Sequence, residues 1–221
     1  MATTWTKDVP SSAGFWSKIA TKYAASPIRN QDAYEKTLER TRAHLGPQDG
    51  VLELGCGTGT TALLLAGSVR SYLATDFASG MIEIAEAKLK DGPDAKDAPQ
   101  GLRFAVADVF SDRVEPGETG YDAILAFNFL HLVENAEDTL SRIHQLLKPG
   151  GLYISKTACL KRRAWLFAPL IKLMQLVGKA PFVRILSFET LEDSIRSAGF
   201  EIIETGTYPA PFSRFVVARK L

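Results

Sequence analysis

Val51-Leu52-Glu53-Leu54-Gly55-Cys56-Gly57-Thr58-Gly59 joins a short apolar run, with an acid near its end, to three glycines at every second position. An apolar, helix-like stretch from Thr60 to Ala66 follows at once, so the order reads strand, tight turn, helix. Glycine admits positive φ and has no Cβ, so a ligand can lie against bare backbone where a helix begins with unpaired N–H groups. The stretch therefore reads as a nucleotide-type binding loop. A dinucleotide fingerprint needs G-x-G-x-x-G, and Thr60 stands where the third glycine should be. A phosphate-cradling loop would end in Gly-Lys-Ser/Thr, and no lysine neighbours this one in sequence.

Around that loop the chain is long enough, at 221 residues and 46% hydrophobic, for one α/β domain with a full core, but short for two. Twenty-six Lys and Arg against 25 Asp and Glu leave a net charge of +1, which argues against nucleic acid or another large polyanion as partner. Met1 to Thr6 lacks a basic region followed by an apolar stretch, and no run of about 18 uncharged apolar residues occurs, so neither secretion nor membrane spanning is expected. Cys56 and Cys159 form no disulfide framework and suit a reducing cytoplasm. His44, His131 and His144 fall into no metal-ligand spacing, so no metal site is expected.

In chain order, residues 1–11 are polar and expected to be mobile. Phe15, Trp16, Ile19, Ala20 and Tyr23 recur at helical spacing until Ser26-Pro27. A second helix is expected over Asn30–Leu45, stopped by Gly46-Pro47. Ser71–Thr75 is a strand closing on Asp76, near where nucleotide folds set a carboxylate against a ribose; an ionised carboxylate accepts from both hydroxyls of the diol. Ser79–Lys90 is an amphipathic helix, Leu102–Ala107 a strand ending in Asp108-Val109, and Tyr121–Phe127 a near-continuous apolar strand of a covered parallel sheet. Glu134–Lys148 is a helix, with His144 read as a solvated or packing residue, and Lys148-Pro149-Gly150-Gly151 leads into a strand over Leu152–Thr157. From Thr157 to Phe188 there are six Lys or Arg and no acid, interleaved with large apolar residues. Such a stretch suits a cap over an apolar or anionic substrate, a dimer surface, or a peripheral membrane contact through 160–180; apolar residues around much of the helix argue for its burial. Thr190–Ala198 is a helix with Thr190 and Asp193 as a capping box, and Phe200–Thr205 and Phe212–Arg219 are the last strands.

The loop at residues 51–59 closely resembles motif I of the class I S-adenosylmethionine (SAM) dependent methyltransferases, [VL]-L-[ED]-[LV]-G-C-G-T-G, and the Lys-Pro-Gly-Gly turn is similar to a second signature of that family. The resemblance covers about residues 12–221. It implies an α/β, Rossmann-like, seven-stranded and mostly parallel sheet with helices on both faces and an antiparallel last strand. It implies a helical lid at 1–45 and the methyltransferase domain at 46–221, with a helical substrate-cap insertion at about 158–188. SAM would be the cofactor and S-adenosylhomocysteine (SAH) the product. The cofactor would lie against Tyr23, Glu53, Gly55, Cys56, Gly57 and Gly59, with its ribose on Asp76, its adenine between Phe77 and Met81, and the adenine amino group on Asp108 beside the Val109 backbone. Phe127 and Asn128 would sit where cofactor and substrate meet.

Methyl transfer from a sulfonium is an in-line displacement that needs an aligned nucleophile and a dry pocket. Aromatic faces stabilise a sulfonium, which suits Phe15, Trp16, Tyr23, Phe127 and Phe129. If the nucleophile must lose a proton, His131 is the candidate base by position, against a purely structural role beneath the loop. Tyr23 and Arg29 are candidates to donate to the substrate or the cofactor carboxylate. The function expected is methylation of a small, partly apolar molecule by a monomer or homodimer. A SAM-binding protein without catalysis and a Rossmann NAD(P) oxidoreductase stand as alternatives.

Overall fold

Apolar runs that alternate with amphipathic helices build a seven-stranded sheet in the order β3-β2-β1-β4-β5-β7-β6. The strands are β1 (Gly50–Leu54), β2 (Ser71–Asp76), β3 (Leu102–Val106), β4 (Tyr121–Phe127), β5 (Leu147–Ala158), β6 (Phe200–Thr207) and β7 (Ser213–Lys220). The computed structural model describes residues 12–91, 99–116, 119–161, 164–176 and 180–221; the expectation of mobility for residues 1–11 lies outside them. β1 pairs in parallel with β2 and β4, and β7 runs antiparallel to both β5 and β6, so the expected antiparallel element is there. Every residue of β1 is buried, as a central strand covered on both faces requires. The chain moves outward from β1 through β2 to β3, then returns to lay β4 on the other side of β1. Ligands of open α/β sheets bind at such a reversal, beyond the carboxyl ends of the strands, which is where Gly55–Gly59 lies.

Alternation along the strands divides the core in two. Leu52, Leu54, Ile124, Ala126, Tyr153 and Val216 pack with α5 (Ala136–Leu146) and α7 (Phe188–Ser197) on one face. Val51, Ala74, Leu125, Ile154 and Phe215 pack on the other with α2 (Gln31–Arg42) and α3 (Thr60–Leu65). Helix α1 (Ala13–Ala25) lies on α4 (Ser79–Asp91), where Ala20, Ala78 and Met81 meet Trp16, Phe77 and Ile84. The approach is close enough that a Cβ on Gly80 would come within 2.9 Å of the Ser17 carbonyl oxygen.

Two element starts and the exposure of one helix differ from expectation in ways that matter for the site. The strand expected from Leu152 begins at Leu147, which pairs with Tyr121; Lys148–Gly151 is then a bulge before Leu152 pairs with Ala123. Helix α7 starts at Phe188, two residues before the expected Thr190. Its cap is Ser187, whose hydroxyl accepts the Thr190 amide at 3.1 Å, so the Thr190 capping box does not form. In the insertion, α6 (Ala164–Leu176) carries Trp165, Leu173, Met174 and Leu176 exposed, contrary to the expected burial. Apolar residues spread around a helix present more surface than a single face of a neighbouring element can cover.

Helix α2 is tied to the far edge of the sheet by Glu204, at the bulge of β6. Arg40 donates to both of its oxygens at 2.7 and 2.6 Å, and His44 lies at 2.7 Å. The Arg40 hydrogen bonds pull the Glu204 carboxyl down to about 2. The lowered value means that its stabilisation is present above the ordinary carboxylate range and fades as pH falls towards 2. Glu204→Gln is expected to lower stability at pH 7 by about 1 kcal/mol, and by less at pH 3, in urea melts.

Candidate active site

The turn after β1 holds three left-handed glycines, Gly55 (φ 68°), Gly57 (φ 55°) and Gly59 (φ 75°). It is fastened from below: Cys56 donates its amide to the Thr75 carbonyl at 2.9 Å, and Lys88 of α4 donates to the Thr58 carbonyl at 2.9 Å and to the Thr58 and Thr60 hydroxyls at 3.0 Å. The lysine absent from the loop in sequence is thus supplied in space, with its ammonium occupied by protein oxygens. Above, the Phe129 ring closes on Gly55, where an added Cβ would stand 2.7 Å from Cδ2. Over Gly57 the nearest atom to such a Cβ is Cε1 of Tyr23, at 3.7 Å, an ordinary contact, so α1 leans over the middle of the loop. Cys56 is buried and its thiol is pushed well up by burial, which makes its side chain packing rather than chemistry.

Asp76, at the end of β2, turns back to this loop. Its Oδ2 accepts the Gly57 amide at 3.0 Å and its Oδ1 the Ala78 amide at 2.9 Å. Burial raises its pKa while the two amides oppose the rise. The Tyr23 hydroxyl is raised by burial first and then by the Asp76 charge, which sets the tyrosine beside that carboxylate. At the end of β3, Asp108 accepts the Phe110 amide at 2.8 Å through Oδ1, while the Val109 side chain is in the core and only its backbone faces away from it. Met81 is buried between α1 and α4, and Phe77 packs beside it.

Glu53 is enclosed within the sheet core, and its Oε2 accepts the Tyr72 hydroxyl at 2.7 Å. Burial pushes it up to about 7, with Tyr72 opposing and Asp76 adding to the rise. Folded Glu53 therefore keeps its proton over a range in which the unfolded chain, titrating near 4.3, has lost it. The native state then binds more protons than the unfolded one, so stability falls as pH rises. We expect wild type to lose about 2 kcal/mol more than Glu53→Gln between pH 5 and 7 without ligand, read from thermal melts of both.

Beyond β4, Asn128 takes a positive φ of 53°, a conformation that asparagine tolerates better than most residues, and donates its amide to the Lys156 carbonyl at 2.7 Å. His131 follows in a 3-10 turn, Leu130–Leu132. Burial lowers it to about 4, and its Nδ1 is enclosed without a hydrogen-bond partner. Its carbonyl accepts the Arg184 amide at 2.7 Å, which brings the far end of the insertion to this turn. On β5, the Thr157 hydroxyl is also buried without a partner among the described residues. His144 packs edge-on against Phe200, ring centroids 5.2 Å apart, far along α5 from this group.

The fold thus gathers Tyr23, Glu53, Gly55, Gly57, Gly59, Asp76 and Phe77 at the ends of β1 and β2, with Asp108, Phe127, Asn128 and His131 at the ends of β3 and β4. Phe129, expected as an aromatic face, is there too, and Lys88, Tyr72 and Lys156 join them without having been expected. Phe129 lay in a segment already flagged as meeting the cofactor, but the other three required knowledge of which strands and helices are neighbours.

Fold and site together define a nucleotide-binding α/β protein with its ligand crevice at the end of β1. More particularly, residues 52–153 match the family model described as a methyltransferase domain. A hybrid PKS-NRPS synthetase, mpsA, of Macrophomina phaseolina is 34% identical over 128 residues, covering 55% of this chain and 3% of the synthetase. This chain therefore spans only a small part of the length of such relatives. Among solved structures, a DhpI–SAH complex superposes with a TM-score of 0.70 at 20% identity, covering 96% of each chain. Magnesium protoporphyrin IX methyltransferase (ChlM) of Synechocystis PCC 6803 with bound SAH gives 0.66 at 17% identity, covering 95% of each. These two share the fold.

Proposed function

We propose that the chain transfers a methyl group from SAM to a small, partly apolar molecule. The carrying observation is the turn of left-handed glycines after β1, leaned over by Tyr23 and with the Gly57 amide held by Asp76. The residues present fit an S-adenosyl group. Gly57 offers bare backbone without a Cβ, and each Asp76 oxygen that takes one amide has a lone pair left for a ribose hydroxyl. Asp108 is an acceptor at the right end of the sheet for an adenine amino group, with Val109 next to it. When bound, SAM supplies an electrophilic methyl on a positively charged sulfur.

This chain's own residues do the rest by position. Phe129 covers Gly55 against water, Tyr23 leans over Gly57, and Asn128 turns the chain at the end of β4 in a left-handed conformation. His131 is neutral at physiological pH and, with its value near 4, a weak base, so acceptors whose nucleophile carries no proton, or sheds it only after transfer, fit this site best. The free, buried cysteines fit a reducing compartment, the cytoplasm. Calorimetry with SAM, SAH and NAD side by side tests the reading. SAM and SAH binding at one site with no NAD binding is expected; NAD binding, or none by SAM, overturns it.

A further inference from the structure

Lys156 is a lysine where the sheet interior should be apolar. Only 9% of its surface is exposed, and among the described residues no hydrogen bond or ion pair reaches its ammonium. Burial lowers its pKa with no neighbouring carboxylate to oppose the shift. Its stem is covered, while Nζ is not among the enclosed unpartnered polar atoms of the described residues, so the ammonium tip opens outward with no protein partner.

Its position in the sheet says what use it has. Lys156 pairs with Phe127 on β4 and with Phe215 on β7, so its side chain leaves the same face as those two rings. Leu125 pairs with Glu53, which puts Phe127 and Lys156 two residues further towards the carboxyl ends, level with Gly55. Two strand spacings, about 10 Å, separate Lys156 from the glycine loop. That is beyond the proposed cofactor contact and on the side of the reacting end of β4. The chain from Thr157 to Phe188, which follows Lys156 directly, contains no acid.

We propose that Lys156 is the anion-recognition residue of the methyl-acceptor pocket, and that the acceptor is a monocarboxylate on an apolar body. A single point charge between two phenyl rings matches one carboxylate, whereas a phosphate dianion calls for several converging donors or a guanidinium fork. The inference rests on the methyltransferase reading above.

The test uses the full chain saturated with SAH and two pairs of probes, octanoate with octanamide and benzoate with benzamide, in wild type and Lys156→Met. At least one acid is expected to bind wild type about tenfold or more tightly than its amide, the size of one charge-assisted hydrogen bond. In Lys156→Met that preference disappears, SAH affinity is unchanged, and the melting temperature is equal or higher. Lys156→Arg keeps the preference. Acid and amide binding alike, no acid binding at all, or a preference that survives Lys156→Met each overturns the inference. If wild type does not bind SAH, it is the methyltransferase reading that fails.

Discussion

Gly59→Ala is expected to unsettle the fold, while Gly57→Ala leaves the fold standing and removes the cofactor. Both glycines have positive φ, 75° and 55°, which costs an alanine about 1–2 kcal/mol. Their surroundings differ. A Cβ on Gly59 would lie 2.8 Å from the Ala85 Cβ and 2.8 Å from Cζ of Phe104, between α4 and β3, where neither neighbour has room to withdraw. Overpacking there adds about 1–3 kcal/mol, so Gly59→Ala should melt roughly 10 °C lower. A Cβ on Gly57 meets only Tyr23, at an ordinary 3.7 Å. Its methyl instead covers the bare backbone at which the cofactor contact is proposed. Gly57→Ala should melt within about 5 °C of wild type yet bind SAH at least tenfold more weakly. Melts and calorimetry on the two purified variants decide it. Unchanged SAH affinity in Gly57→Ala would place the cofactor elsewhere.

Much of this arrangement was legible in the sequence because it is local. Short, near-continuous apolar runs marked the strands, and the spacing of glycines after Leu54 marked both the turn and its ligand class. Asp76 was legible because a carboxylate at the end of the next strand must face the crevice when the two strands are parallel neighbours. What depends on pairing was hidden. Lys148-Pro149-Gly150-Gly151 reads as a break between helix and strand, and only the Tyr121–Leu147 pair shows the strand already under way before it. Lys156 looks like an ordinary polar residue between Ser155 and Thr157; that it is buried follows from β4 and β7 lying on either side. Lys88 reaches Thr58 and Thr60 from 30 and 28 residues away, and nothing in the spacing announces that contact. Trp165, Leu173, Met174 and Leu176 of α6 gave the opposite lesson, since composition alone argued for burial and the structure leaves them exposed.

Asp76→Ala should remove cofactor binding more completely than any other single side-chain change at the site. The carboxylate has two tasks that share its oxygens. It terminates the Gly57 and Ala78 amides at 3.0 and 2.9 Å, so it sets the conformation of the glycine loop and of the entry to α4. It also offers the remaining lone pairs to the ribose. Truncation leaves both amides unsatisfied at a buried position, at about 1–3 kcal/mol each, and deletes charge-assisted bonds to the ligand worth about 1.5–3 kcal/mol each. SAH affinity should therefore fall at least a hundredfold, with a melting temperature lowered by about 10 °C. Asp76→Asn separates the tasks. The amide keeps the shape and one acceptor oxygen, but its NH2 group points donor against donor at either Gly57 or Ala78. It should recover part of the stability and little of the affinity. An Asp76→Asn protein that binds SAH within threefold of wild type would show that the carboxylate serves the loop alone, and the ribose would need another acceptor.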